Sequence, residues 1–181
     1  YVYTPKMGLM HREKNEIEKS LKEAILNQEI EMFYQPKISF ESGETYGFEA
    51  LARWKHAQRG WISPGVFIPI AEESGLIHDL GLYALEAAME SAKEWLDEGK
   101  QFGKISVNVS PMQLFYGDFM KILENKVKAQ PEVIEHIELE LTESALMEDP
   151  EEALTQLNRL RTMGFELSMD DFGTGYSGLS I

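Results

Sequence analysis

Apolar and polar residues alternate with a helical period at the start of the chain and with a strand-like pattern after it. Between Arg12 and Gln28, apolar residues recur every three or four positions among Glu and Lys, which predicts an amphipathic helix. Two β-rich segments follow, Ile30 to Phe40 and Tyr46 to Trp54, with a Ser42-Gly43 turn between them. Because this turn is too short for a crossover helix, we expect the two strands to be antiparallel neighbours.

Beyond Trp54 the pattern changes to strands that alternate with helices. Periodicity and capping residues predict helices from Ser63-Pro64 to Gly75, from Asp79 to Glu98, from Met112 to Ala129 and from Asp149 to Gly164. Pro69 should make the first of these helices short or irregular. Strands are expected at Ile105 to Val109, Ile137 to Leu141 and Phe165 to Asp171, which makes five strands in all.

This order of elements predicts an α/β fold in which a parallel sheet is covered by helices. The sheet is either open and doubly wound or part of a barrel. A complete (β/α)₈ barrel usually needs about 250 residues. Five strands in a chain of 181 residues would therefore form an incomplete barrel.

Composition and charge narrow the classes of partner. Acidic residues outnumber basic residues by 31 to 17, and the net charge of −14 argues against binding to nucleic acid polymers or anionic membranes. The absence of cysteine excludes disulfides, thiol nucleophiles and thiolate metal sites, and the four histidines show no metal spacing. The sequence shows no membrane-spanning apolar run and no signal peptide, so we expect a soluble, cytoplasmic chain. A membrane tether in an N-terminal region of the parent protein is left open.

Polar residues interrupt the apolar strands close to their ends. Glu49 closes the second strand, Asn108 and Glu140 lie near the ends of the third and fourth, and Asp170 and Asp171 end the fifth. A single acidic residue at such a place is usually a cap or a solvated side chain. Five oxygen donors at successive strand ends are expected to converge, because these ends form the active-site rim of parallel α/β folds. Their mutual repulsion predicts one or two bound Mg²⁺ or Mn²⁺ ions.

Alternation along the strands supports this geometry. In the second strand Glu49, Leu51 and Arg53 fall on one face, and in the fourth strand Glu138 and Glu140 share a face. A carboxylate, an apolar contact and a cation are thus expected to point the same way.

An ordered series of motifs over about residues 12 to 181 resembles the EAL domain family. The motifs are Tyr34-Gln35-Pro36, Phe48-Glu49-Ala50-Leu51-Ala52-Arg53-Trp54, Phe67-Ile68-Pro69 with Ala71-Glu72, Ser106-Val107-Asn108-Val109-Ser110, Glu140-Leu141-Thr142-Glu143-Ser144, and Asp170-Asp171-Phe172-Gly173-Thr174-Gly175-Tyr176-Ser177. The chain is similar to the first two-thirds of an EAL-type cyclic di-GMP phosphodiesterase. Residues 1–28 then correspond to a linker and leading helix, and residues 29–181 to the EAL domain, truncated after its fifth strand.

The resemblance implies a TIM-type (β/α)₈ barrel whose first strand is antiparallel to the rest. It also implies hydrolysis of cyclic di-GMP to linear pGpG with Mg²⁺ or Mn²⁺, inhibited by Ca²⁺. The implied metal ligands are Glu49, Asn108, Glu140, Asp170 and Asp171, and the catalytic residues among them are Glu49, Asp170 and Asp171. The implied substrate-binding residues are Gln35, Leu51 and Arg53, with Arg53 on a phosphate. Glu143 would stabilise the loop at residues 171–177, which in this family is linked to dimerisation.

The family pattern also includes motifs that this chain does not contain. EAL domains have three further strands, with a lysine in K-I-D, a glutamate in E-G-V-E and a Q-G motif. We therefore expect a longer parent protein, and we expect the chain alone to lack phosphodiesterase activity. The leader resembles the junction that follows a GGDEF or sensor domain, and the family pattern implies a homodimer. Two alternatives to the enzyme are a non-catalytic cyclic di-GMP receptor and a protein-interaction module with the same fold.

Overall fold

The structure is a computed structural model that describes residues 5–115, 117–142 and 150–170, with the backbone alone at residues 5–11, 142 and 170. Strands alternate with helices along most of this length, as the sequence predicts. The elements are α1 (Pro5–Leu26), β1 (Ile30–Ile38), β2 (Thr45–His56), β3 (Gly60–Ile62), α2 (Pro64–Ser74), α3 (Ile77–Asp97), β4 (Lys104–Val109), α4 (Pro111–Phe115), α5 (Phe119–Ala129), α6 (Pro131–Ile134), β5 (Ile137–Thr142), α7 (Pro150–Thr162) and β6 (Glu166–Asp170).

The strands form one sheet in the order β1-β2-β4-β5-β6, and β3 pairs with the end of β2. The hairpin of β1 and β2 is antiparallel, whereas β2, β4, β5 and β6 are parallel to one another. Helices connect the parallel strands, as parallel crossovers require. The predicted class is confirmed: the described strands form an open arc of a TIM-type barrel whose first strand is antiparallel.

The structure differs from the sequence prediction in the number of strands and in one helix. β3 is a sixth strand, and its three residues are too few to show alternation. The helix expected from Met112 to Ala129 is divided into α4 and α5, and Gly117 between them has a φ of 80°, which a right-handed helix cannot contain. Helix α2 continues through Pro69 for 11 residues, from the Ser63 cap to Gly75.

Apolar residues of the outer sheet face pack against the helices in two clusters. Ile105, Val107 and Leu139 are fully or almost fully buried in the larger cluster, against α3, α5, α6 and α7. In the smaller cluster, Trp54 packs against Phe67 and the buried face of α1. Each such side chain stabilises the fold by about 1.5–3 kcal/mol. Since a shift of one residue would turn these side chains to the other face, burial sets the strand register.

None of the helices in the described part of the chain combines the length and the apolarity needed to cross a membrane.

Candidate active site

The strand register brings several of the predicted site residues onto the inner face of the arc. Gln35 of β1 lies opposite Glu49 of β2, and Glu49 is paired with Ser106 of β4. Two residues further along β4, Asn108 is paired with Glu140 of β5. Because side chains alternate along a strand, these residues all occupy the face that does not pack against the helices. The register places Glu49, Asn108 and Glu140 on one face, and their convergence on a metal ion stays a prediction.

A hydrogen bond joins the two predicted ligands on β2 and β4. The Asn108 Nδ2 donates to the Glu49 Oε1 at 2.9 Å, with Glu49 half-buried and Asn108 exposed. This bond orients both side chains. Since the amide nitrogen faces Glu49, the Asn108 Oδ1 is available to a further partner, and it accepts no hydrogen bond from the residues that the structure describes. The pair therefore presents carboxylate and amide oxygens on the inner face, where the pairing of β2 with β4 ends. The prediction that Glu49 closes the second strand is wrong: Glu49 lies in the middle of β2, which continues to His56 because its last residues pair with β3.

Glu140 belongs to a second group of polar residues deeper inside the arc. The Lys37 ammonium contacts the carboxylates of Glu140 and Glu138, the latter at 3.2 Å, and the hydroxyl of Ser106. The Ser106 hydroxyl also donates to Glu138. We call Lys37, Ser106, Glu138 and Glu140 the interior ion cluster. Its single ammonium contacts both carboxylates, so these partly buried charges share one cation within the protein.

Burial and charge act in opposite directions on the pKa values of the interior ion cluster. Burial lowers the pKa of Lys37, but its hydrogen bond to Glu140 and the negative charges of Glu140 and Glu138 outweigh this effect and raise the pKa. Burial likewise raises the pKa of Glu138, and hydrogen bonds and the Lys37 charge outweigh it and lower the pKa. Both shifts favour the charged forms, so an ammonium and a carboxylate persist over a wide pH range.

Arg53 and Leu51 lie on the inner face beyond Glu49. The Arg53 guanidinium donates to the carbonyl oxygen of Ala52 at 3.0 Å and lies 6.0 Å from the centroid of the Phe33 ring. Within the described residues Arg53 forms no ion pair, so its charge is available to an anion. Leu51, Arg53 and Asn108 also line a cavity of about 610 Å³, between the middle of β2, the end of β4 and the helices α2 to α4. Cavities of this size are typical of small-molecule sites.

Three predicted residues fall wholly or partly outside the described part of the chain. Asp171 and Glu143 lie outside it, and Asp170 is described by its backbone alone, paired with Thr142 at the end of β6. Among the described side chains, no three His, Asp or Glu groups are close enough to hold a metal ion. The metal donors that are described, on Glu49, Asn108 and Glu140, are all oxygen atoms on the inner face of the arc. Their chemistry fits a hard divalent cation.

Lys37 is a functional candidate that the sequence analysis did not identify. It follows Pro36 directly, in a strand that ends at the next residue, where a lysine is usually solvated. The period of two from Gln35 would have placed it on the inner face. Its partners on β4 and β5 are 69 to 103 residues away in the chain, so only the fold shows that it contacts them.

Comparisons with known proteins identify a family model and relatives that match most of the chain. The EAL domain family model matches residues 18–180. The chain is 37% identical over 173 residues to the bifunctional diguanylate cyclase/cyclic di-GMP phosphodiesterase MucR of Pseudomonas aeruginosa, covering 96% of this chain and 25% of MucR. It is 38% identical over 178 residues to the oxygen sensor protein DosP of Escherichia coli, covering 98% of this chain and 22% of DosP. The chain thus spans about a quarter of the length of these relatives.

A solved structure of the PaMucR phosphodiesterase in complex with c-di-GMP superposes on the fold with a TM-score of 0.82. The two chains are 38% identical, and the match covers 90% of this chain and 66% of that one. A structure of the EAL enzyme Bd1971, bound to cAMP and cyclic di-GMP, superposes with a TM-score of 0.81 at 31% identity and covers 94% of this chain and 47% of that one.

Proposed function

The chain belongs to the EAL domain family, and we propose that in its full-length protein it hydrolyses one phosphodiester bond of cyclic di-GMP to give linear pGpG. The observation that carries this proposal is the hydrogen-bonded pair of Glu49 and Asn108, with Glu140 next in the register. The relatives support cyclic di-GMP as the substrate, since MucR is named a cyclic di-GMP phosphodiesterase and the PaMucR structure is that of a complex with c-di-GMP.

The inner face supplies separate groups for the phosphate and for the rest of the dinucleotide. Arg53, with no ion pair among the described residues, would bind a phosphate by charge-assisted hydrogen bonds. Leu51 and Gln35, on the same face as Glu49, would contact the nucleoside parts. A chain of charge −14 then binds an anion through a local cation and bound metal rather than through its overall charge.

We propose Glu49, Asn108 and Glu140, together with Asp170 and Asp171, as the residues that hold Mg²⁺ or Mn²⁺. When bound, such ions lower the pKa of a water molecule and stabilise negative charge on a phosphoryl group. Asn108 orients the Glu49 carboxylate through its amide nitrogen. The reaction adds the water oxygen to phosphorus and breaks a phosphorus–oxygen ester bond, and the departing oxygen gains a proton.

The assembly around this site is also a proposal. Residues 1–28 would act as a linker and leading helix that follow a GGDEF or sensor domain, and residues 29–181 as the start of the EAL domain. The domain would form a homodimer, in which Glu143 stabilises the loop at residues 171–177. The lysine and glutamate that the family resemblance implies would come from strands later in the same domain.

Incubation of the full-length protein with cyclic di-GMP and Mn²⁺, followed by chromatography of the nucleotides, tests the proposal. We expect pGpG to accumulate. In the Glu49→Ala variant the loss of rate should exceed the roughly 10- to 100-fold typical of groups that only support a metal ligand. Circular dichroism of the variant checks that the fold is retained. Absence of pGpG with the wild-type protein would reject the enzyme, and retained affinity for cyclic di-GMP would then indicate a receptor.

A further inference from the structure

Two large aromatic side chains stand exposed on the inner face, beyond the predicted metal ligands. Phe33 of β1 is 48% exposed and Trp61 of β3 is 54% exposed. Their ring centroids lie 6.0 Å apart with an angle of 77° between the planes, an edge-to-face pair. Neither residue belongs to the two buried clusters of the fold. Burial in the apolar core therefore does not account for this pair.

The strand register places both rings next to Arg53. Phe33 lies opposite Leu51, and Trp61 lies opposite Lys55. Leu51, Arg53 and Lys55 are two residues apart along β2, so their side chains share the face that also carries Glu49. Two strands on either side of β2 thus each contribute one ring to the same surface.

A cation lies close to each of the two rings. The Arg53 Cζ is 6.0 Å from the centroid of Phe33, and the Lys55 Nζ is 5.8 Å from the centroid of Trp61. Glu31 lies opposite Arg53 in the register but forms no ion pair with it. We call Phe33, Trp61, Arg53 and Lys55 the aromatic platform. Planar apolar surfaces beside two positive charges, in a chain of net charge −14, complement a ligand that is both aromatic and anionic.

The aromatic platform lies too far from the predicted metal ligands to contact the reacting phosphate, and its distance from them suits a base. Arg53 is four residues beyond Glu49, which corresponds to about 13 Å along the strand. A nucleotide bound with one phosphate near Glu49 would extend its other parts in this direction. Proteins that bind single-stranded nucleic acid combine aromatic rings, on which bases stack, with cations that contact the backbone phosphates.

We propose that the aromatic platform binds a guanine base of the dinucleotide. Phe33 and Trp61 stack on the base, and Arg53 and Lys55 face the phosphate next to it. This inference rests on the proposed function, since the substrate supplies the base. It adds Phe33 and Trp61 as residues that determine affinity for the substrate, neither of which belongs to the motifs that identify the family. The platform does not contact the reacting phosphate, so its contribution should be to binding.

The test measures the dissociation constant of the full-length protein for cyclic di-GMP by calorimetry, with Ca²⁺ in place of Mg²⁺ to prevent turnover. Phe33→Leu and Trp61→Leu should each weaken binding about tenfold, within the range for loss of one stacked base. Trp61→Phe should retain most of the affinity because it keeps an aromatic face. In turnover assays with Mn²⁺, the Leu variants should lower kcat/KM mainly through a higher KM.

Phe40→Leu is the matched control, since Phe40 is a fully exposed phenylalanine just beyond the opposite end of β1. It should bind cyclic di-GMP with wild-type affinity. Suppose that the wild-type protein binds and hydrolyses the dinucleotide and that the Leu variants keep wild-type affinity. The role of the platform in binding would then be rejected, and the proposed function would stand. A wild-type protein that does not bind cyclic di-GMP would instead overturn the proposed function. If a Leu variant unfolds, the comparison of Trp61→Phe with Trp61→Ala decides: equal affinity of the two would also overturn the platform.

Discussion

The interior ion cluster differs from the mouth of the arc in how its charged side chains are partnered. The mouth is formed by Glu49, Leu51, Arg53 and Asn108. In the interior ion cluster, Lys37 contacts two carboxylates and a hydroxyl, and Glu140 is only 8% exposed. At the mouth, Glu49 has a neutral amide as its partner, and Arg53 forms no ion pair with the described residues. On β4 the two regions are only two residues apart, since Ser106 belongs to the interior ion cluster and Asn108 to the mouth.

This difference indicates a division of roles between the two regions. Removing one partner of a pair within the protein destabilises the fold, because the other charge is then left buried and unpaired. Charges that lack a protein counter-ion contribute little to folding and remain available for binding. Glu140 links the regions, since it contacts Lys37 and is paired with Asn108 in the register. Substitutions in the two regions should therefore affect different measurements.

The largest effect on stability is expected from Lys37→Met, which keeps the length of the side chain and removes its charge. The free energy of unfolding of the full-length protein should fall by about 2 to 3 kcal/mol. This is somewhat less than the cost of about 3 to 5 kcal/mol for a fully buried pair, because the Lys37 side chain is 22% exposed. Urea denaturation followed by tryptophan fluorescence measures the change.

Lys14→Met is the control for the loss of a lysine ion pair as such. Lys14 pairs with Glu73, whose side chain is 63% exposed. Such a surface pair contributes about 0 to 1 kcal/mol, so this variant should be almost as stable as the wild type. Equal destabilisation by the two substitutions would contradict the special role of the interior ion cluster.

The next effect is a change in pH dependence on replacing Glu138 by Gln. Burial raises the pKa of Glu138, but hydrogen bonds, the strongest from Ser106, and the Lys37 charge outweigh burial and hold it below its ordinary value of 4.5. This contribution to stability is therefore complete above pH 4.5 and is lost as the pH falls through the lower pKa of the folded state. Below pH 4.5 the wild type should lose stability faster than Glu138→Gln. Urea denaturation between pH 3 and pH 7 measures the difference, and parallel curves would contradict it.

The smallest effect on stability is expected at the mouth. Arg53→Ala should change the free energy of unfolding by less than about 1 kcal/mol, because the guanidinium has no ion pair to lose among the described residues. The same variant should weaken binding of cyclic di-GMP, measured by calorimetry with Ca²⁺. A large loss of stability with unchanged affinity would place Arg53 with the structural charges and reverse the comparison.

The sequence was sufficient to predict the arc because the apolar positions of each strand fall on one face. Burial of Ile105, Val107 and Leu139 leaves Asn108 and Glu140 on the other face, as alternation predicts. The hairpin followed from the short turn at Ser42-Gly43, since its length allows only an antiparallel pair. These features depend on neighbouring residues in the chain.

Features that depend on contacts between distant segments could not be predicted in this way. β3 has three residues, and it forms because it can pair with the end of β2. Lys37 has an ordinary sequence context and gains its role from carboxylates on β5, about 100 residues later. The aromatic platform likewise brings together rings from β1 and β3. The roles of Asp170, Asp171 and Glu143 remain predictions from the family resemblance.

The central claim is that Glu49, Asn108 and Glu140 hold a divalent cation on the inner face of the arc, and a crystal of the full-length protein grown with Mn²⁺ tests it directly. We expect an anomalous scattering peak at about 2.1 Å from the side-chain oxygens of these residues, since hard cations are bound at such distances. A crystal of Glu49→Ala should show a weaker peak or none. A manganese ion bound elsewhere, with these three side chains free of metal, would contradict the account.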